Sequence, residues 1–328
     1  MMQKKPAIAN LVFEGGGAKG AAYAGCMEVF DSAGLLAPVR RIAGTSAGAI
    51  TASLLACGAG SEGLTECVQH TDFRRFIADW GGLFGDAARI AGHYGMHSGD
   101  GFVSLLQDRF QRYAGKGDLS FGELAELAAA KPARFKSLSV VASNLTRQRP
   151  QVFDAHCSPD LPVCQAVRAS ISIPLIFEPV KINGDYFVDG GLAVNFPIGL
   201  YDEVQRDPDQ GSVTTIRNPS TLGFYLEPRA LMKDGDRYNP DSVRIDTLKS
   251  FAVALGSYLT ENANAKYIHP KDRLRTVFID DLGVSATDFS APQATIEALM
   301  ESGRAATHAW LSRQAAGSPA GQPLQRSA

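Results

Sequence analysis

Apolar residues along this chain recur with two spacings. Residues 7–13 (AIANLVF) form a near-continuous apolar run of strand length that stops at glycines, the pattern of a strand buried on both faces. Residues 18–33 carry apolar side chains at helical spacing and end at Gly34, a helix stop. Residues 40–44 (RRIAG) predict a second short strand, and Ala47 to Cys57 a helix of small residues. Strand, helix, strand, helix is the order of a mostly parallel sheet with helices on its faces, so the predicted class is α/β. Residues 80–101 break the rhythm, mixing glycines with Trp80, Leu83, Phe84, Ile90 and Tyr94, and read as an irregular or mobile segment, either a lid or membrane-touching element or a glycine-rich loop that packs locally. Further on the pattern predicts helix over 102–130, a strand at 137–143 and a helix at 161–171 that ends before Pro174. A hairpin arm at 182–188 turns on Asn183-Gly184. A strand follows at 221–226 and a long helix at 243–266, and a disordered tail rich in Ala, Gly, Pro, Ser and Gln starts at Gln314. No repeat and no linker divides the chain, which reads as one domain over 1–313 followed by the tail at 314–328.

Composition narrows the function classes. The 328 residues are 45% hydrophobic and 20% charged, with a formal net charge of -2. That is ordinary globular composition, without the basic excess or basic face of a nucleic-acid binder. The five cysteines are odd in number and contain no CxxC pair, which fits a reducing compartment better than a disulfide framework. Residues 1–17 hold two lysines but no apolar stretch long enough for a signal peptide, and no uncharged apolar run reaches 18 residues. The expected location is the cytoplasm or a membrane periphery, or export without a cleaved signal. No cluster of metal ligands stands out, and no metal or cofactor is expected.

Three short motifs carry chemistry. Gly44-Thr45-Ser46-Ala47-Gly48 matches G-x-S-x-G, set between a predicted strand and a predicted helix. A sharp turn there exposes the Ser46 hydroxyl and needs small flanking residues, and the helix N-terminus beneath it favours developing negative charge. Gly15-Gly16-Gly17-Ala18-Lys19-Gly20 follows the first strand directly. Its glycines satisfy the dinucleotide fingerprint G-x-G-x-x-G, but the next strand ends at Gly44 without the acidic residue that reading requires. A P-loop fails too, because Gly20 rather than Ser or Thr follows Lys19. Glycine amides at a helix N-terminus form an oxyanion hole in a third reading; a plain tight turn is the fourth. Asp189-Gly190-Gly191 supplies an acid. A serine hydroxyl needs a base; His269 and His308 are the only histidines after Asp189, and neither lies in a motif. The alternative is Asp189 as the base itself, which requires contact with Ser46 and partial desolvation, since a free aspartate has a pKa of about 3.9.

The ordered set of GGGAKG at 15–20, GTSAG at 44–48 and DGG at 189–191 resembles the patatin-like phospholipase family. Residues 169–174 (ASISIP), 193–198 (AVNFPI) and 221–226 (TLGFYL) resemble further family segments, and the likeness covers roughly residues 7–230. The resemblance implies a three-layer α/β/α fold with a mostly parallel central sheet. It implies a lipid acyl hydrolase of phospholipase A or lysophospholipase type that works through an acyl-enzyme. Ser46 is then the nucleophile and Asp189 the base of a dyad that needs no histidine; Gly16 and Gly17 supply the oxyanion-hole amides. Gly15, Lys19, Gly20, Gly44, Gly48, Gly190 and Gly191 support the motifs. The implied partner is a membrane phospholipid or lysophospholipid substrate. Some members need a protein or small-molecule activator, and nothing in the sequence marks one here. The glycine-loop and nucleophile regions look most like bacterial members, including those injected into host cells. Residues 243–313 carry no motif and are expected to contribute helical packing.

Overall fold

The computed structural model describes residues 7–76, 89–206, 213–228, 244–259 and 268–316. The strands are β1 (Asn10–Phe13), β2 (Arg41–Thr45), β3 (Gly95–His97), β4 (Ser137–Asn144), β5 (Arg149–Phe153), β6 (Leu175–Phe177), β7 (Val180–Ile182), β8 (Asp185–Val188), β9 (Glu203–Arg206), β10 (Val213–Ile216), β11 (Thr221–Glu227) and β12 (Thr276–Asp280). The helices are α1 (Ala22–Ser32), α2 (Ala47–Ala56), α3 (Gly60–His70), α4 (Asp100–Ala114), α5 (Phe121–Ala130), α6 (Val163–Ser170), α7 (Gly191–Val194), α8 (Leu248–Ser257), α9 (Pro270–Arg273) and α10 (Gln293–Ala315).

The main sheet runs β12-β11-β1-β2-β4-β8-β7, with β5 also on β4. The pairings from β12 to β4 are parallel; those of β5, β8 and β7 are antiparallel. This is the three-layer α/β/α arrangement with a mostly parallel sheet. Alternate side chains explain why β1 reads as a continuous apolar run. Leu11 and Phe13 enter the large core, where Phe13 stacks on Phe224 and meets Tyr23 edge-on, while Val12 points to the opposite face. There Val12, Ala43 and Ile198 form a small second core covered by Phe196, Leu200 and Tyr201. The hairpin turn sits on Asn183 and Gly184, both with positive φ (51° and 89°), the backbone of a type I′ turn.

Register brings distant motifs together. At Val140 and Val141, β4 pairs with β2 and with β5, so those two lie on opposite edges of it. At Ser143 and Asn144, β4 pairs with β5 and with β8, so β8 lies on the β2 edge. β2 ends at Thr45 opposite Val141, and β8 ends at Val188 opposite Ser143, running the other way. The two strands therefore meet head to head, with the turn after each falling beside Ala142.

Several expectations need correction. The described part of the segment expected to be irregular is largely regular: residues 89–93 are helical, β3 (Gly95–His97) pairs in parallel with β6, and α4 begins at Asp100. The helical stretch at 102–130 is broken between Ala114 and Phe121 by the left-handed Gly115 (φ 84°). In the described part of the expected 243–266 helix, α8 spans Leu248–Ser257, closed at its start by a Thr247/Ser250 capping box. The C-terminal portion is not only helical, because β12 extends the sheet beyond β11. The last helix runs to Ala315, past the expected tail boundary, and 317–328 lie outside the described residues.

Candidate active site

Ser46 occupies the turn between β2 and α2 with φ 51° and ψ −123°, a region that a non-glycine residue enters at a cost of about 1–3 kcal/mol. Tight packing holds it there. A Cβ on Gly44 would lie 2.1 Å from the Gly48 carbonyl oxygen, and one on Gly48 would lie 2.5 Å from the carbonyl oxygens of Phe13 and Glu14. The Ser46 N–H donates to Ser170 Oγ at 2.8 Å. These contacts leave no room for side chains on either flank, which is why the turn reads G-x-S-x-G.

Asp189 follows β8 and faces Ser46 across the head-to-head junction. Ser46 Oγ donates to Asp189 Oδ2 at 2.7 Å, and the Gly191 N–H donates to Asp189 Oδ1, also at 2.7 Å. The Asp189 backbone is fixed from two sides. Its N–H donates to Ser172 O at 2.8 Å, and its carbonyl accepts from Ser143 Oγ at 2.8 Å. Gly190 is pressed against β4, where a Cβ would lie 2.2 Å from Val141 O. Burial pushes the Asp189 carboxyl up to about 7, against the lowering effects of the Ser46 hydroxyl and the Gly191 amide.

The glycine loop is anchored at both ends. The Gly15 N–H donates to Asn195 O at 3.0 Å and the Ala18 N–H to Ala286 O at 2.9 Å. Between these anchors, no protein acceptor takes the Gly16 or Gly17 amide among the described residues. Gly17 has φ +53°, and a Cβ there would lie 1.8 Å from Ala286 O, so glycine is required twice over. Lys19 is buried and pairs with Asp281 at 3.3 Å. Glu14, also buried, accepts from the Leu226 N–H at 2.8 Å and from Asn195 Nδ2 at 3.0 Å. Burial pushes the Glu14 carboxyl up to about 8.

The expected residues thus converge. Gly15, Gly16, Gly17, Lys19, Ser46 and Asp189 line one cavity of about 50 Å³, and Gly20 packs its backbone against Ala47. His269 and His308 are exposed, and His269 caps α9 by accepting from the Lys271 N–H. Sequence reasoning missed Glu14, Asn195, Ser170, Asp281 and Ala286. Glu14 left a signal, an acid inserted between an apolar strand and three glycines. Asp281 left a fainter one, a second acid directly after the run TVFID at 276–280. Of the segment 80–101, residues 80–88, with Trp80, Leu83 and Phe84 among them, lie outside the described residues. Within the described part, Ile90 packs on the large core, and Tyr94, 60% exposed, meets Tyr186 edge-on at 6.3 Å.

A second, larger cavity of about 350 Å³ also opens onto Ser46. One stripe of α2, Ala47, Ile50, Thr51 and Leu54, lines it, facing Leu64, Phe102, Ile173 and Phe177. The spacing i, i+3, i+4, i+7 keeps these residues on one helix face, so the apolar wall starts beside Ser46 and runs for roughly 12 Å along the helix axis. Gln69, His70, Asp72, Arg74 and Gln293 form a polar rim.

The fold and this pair of loops around a strained serine define an α/β protein built around a serine–aspartate contact. The patatin-like phospholipase model matches residues 11–201, more than half of the chain, and the protein belongs to that family. Uncharacterized protein YqhO of Bacillus subtilis (strain 168) is 30% identical over 321 residues, covering 92% of this chain and 97% of that one. The crystal structure of VipD from Legionella pneumophila shares the fold at 17% identity, with a TM-score of 0.58 over 94% of this chain and 67% of its own. A chain of the heterodimeric ExoU–SpcU complex from the type III secretion system of Pseudomonas aeruginosa does so at 22% identity, with a TM-score of 0.56. The match covers 95% of this chain but only 52% of that chain. No described helix is long and apolar enough to cross a membrane.

Proposed function

We propose that the protein is a lipid acyl-ester hydrolase of phospholipase A or lysophospholipase type, working through an acyl-enzyme on Ser46. The observation that carries this reading is the 2.7 Å bond from Ser46 Oγ to a fully buried aspartate. Asp189 Oδ2 takes the hydroxyl proton as Ser46 Oγ attacks the ester carbonyl. Its carboxyl, raised to about 7, accepts a proton far more readily at neutral pH than an ordinary aspartate does. The tetrahedral oxyanion lies against the Gly16 and Gly17 amides, each such donor lowering the barrier by about 3–4 kcal/mol. Asp189 then returns the proton to the departing alkoxide, releasing an alcohol or lysolipid. A water, deprotonated by the same carboxylate, attacks the acyl carbon; the bond to Ser46 Oγ breaks, Asp189 returns the proton to that oxygen, and the fatty acid is freed.

Two further features support a lipid substrate. The family is that of patatin-like phospholipases. The α2 wall of the larger cavity gives one acyl chain a dry surface beginning at the reactive oxygen, and the polar rim gives the remainder of the lipid a wetter one. The test is fatty-acid release from mixed phospholipid liposomes by wild type and Ser46→Ala. Release by wild type that vanishes in the variant is the expected result. Equal release by both contradicts the assignment of Ser46. A wild type that cleaves short soluble esters but no lipid, even with cell lysate added as a source of activator, contradicts the lipid substrate.

A further inference from the structure

Ser170, the last residue of α6, is fully buried and joins three parts of the site that are far apart in sequence. Its hydroxyl donates to Val141 O of β4 at 2.6 Å and accepts from the Ser46 N–H at 2.8 Å. Its own carbonyl accepts from the Gly190 N–H at 3.1 Å. One residue therefore touches the backbone of the strained turn, the central strand beneath it and the loop that carries Asp189. The neighbouring bonds continue the same connection. Ser172 O holds the Asp189 N–H, and the Ser172 hydroxyl accepts from the buried Arg168 guanidinium.

The Ser46 amide is the critical member. It sits in a turn with positive φ, buried, where an unpaired N–H costs about 1–3 kcal/mol. The Ser170 hydroxyl accepts it, and donating to Val141 O fixes the direction in which the hydroxyl lone pairs point. We propose that Ser170 is a positioning residue that locks the Ser46 turn and the Asp189 loop into register, so that Ser46 Oγ and Asp189 Oδ2 stand in bonding contact before substrate arrives. Ser170 touches neither the reacting oxygen nor the carboxylate. Its effect passes through the two backbones it holds, and it rests on the serine–aspartate reading of the site.

The test compares Ser170→Ala with Ser53→Ala on a short soluble ester, which avoids lipid-surface effects. Ser53 is an equally buried serine whose hydroxyl, among the described residues, bonds to Ile50 O alone, within α2 at 2.9 Å, so it reports the loss of a buried hydroxyl without the link. Ser170→Ala is expected to lower kcat by about 10²-fold, the effect of misplacing reacting groups by about an ångström. KM should stay within about twofold, because no substrate contact is removed. Ser53→Ala should keep wild-type kcat at a comparable melting temperature. A folded Ser170→Ala with wild-type kcat overturns the proposal, as does an equal loss of kcat in Ser53→Ala. If Ser170→Ala does not fold, Ser170→Cys replaces it, since a thiol is nearly isosteric but a weak donor and acceptor. About a tenfold loss of kcat is then expected, and wild-type kcat again overturns the proposal. An inert wild type would instead count against the hydrolase reading itself.

Discussion

Two buried carboxyls lie near Ser46, Asp189 ahead of it on the same edge of β4 and Glu14 one strand over at the end of β1. Both are raised by burial, to about 7 and about 8, and both accept a backbone N–H. They differ in what the second oxygen meets. Asp189 turns it toward a hydroxyl that can lose a proton; Glu14 turns it toward the amide of Asn195, which also donates to Gly15 O. The same desolvation thus acts on a carboxyl that bonds a serine hydroxyl in one place and on one that braces the glycine loop in the other. The pKa shift alone does not distinguish the two; the bonded partner does.

Exchanging each carboxyl for its amide should separate them most sharply. Asp189→Asn is expected to reduce kcat by about 10⁴-fold or more, as removal of a member of a catalytic unit does. Glu14→Gln, which preserves shape and most bonding, should cost only about tenfold. Steady-state kinetics on one ester checks both, and comparable losses would erase the distinction. Next in size is the loop that Glu14 braces. Gly17→Ala should lower kcat by about 10²–10³-fold, because a Cβ there collides with Ala286 O and shifts an amide that the proposed mechanism uses as an oxyanion donor.

The pH dependence sharpens the contrast further. Since Asp189 must be ionised to act as a base, kcat/KM should fall about tenfold per pH unit below about 7. Stability should move the other way. Folding raises both carboxyl pKa values, so the native state favours the protonated forms. Their stabilising contribution is complete below the unfolded values near 4 and is lost as pH rises through about 7 and 8. The smallest effect follows from this. Glu14→Gln should melt a few degrees above wild type at pH 9 but not at pH 5, whereas an unchanged difference across that range would mean that Glu14 titrates normally.

What the sequence made legible was what is local. The turn at Ser46 and the glycine loop each announce themselves within six residues, because strained backbone and close approach require glycine at fixed spacing. Asp189 was legible through family resemblance; a D-G-G turn alone is common. The braces were not legible as such. Ser170 and Asn195 fall within quoted segments, but their roles depend on partners 124 and 181 residues away, and no short pattern encodes that pairing. β12 was hidden because five residues are too few to stand out beside helical neighbours, and with it went Asp281 and Ala286, which hold the far side of the glycine loop.

The central claim is that Asp189 activates Ser46 directly. The most direct measurement is the rate at which a fluorophosphonate probe modifies the protein, with the modified peptide mapped by mass spectrometry. The account expects one adduct, on Ser46, formed at the wild-type rate in His269→Ala and His308→Ala and almost abolished in Asp189→Asn. Labelling of another residue, or of Asp189→Asn at the wild-type rate, would contradict it.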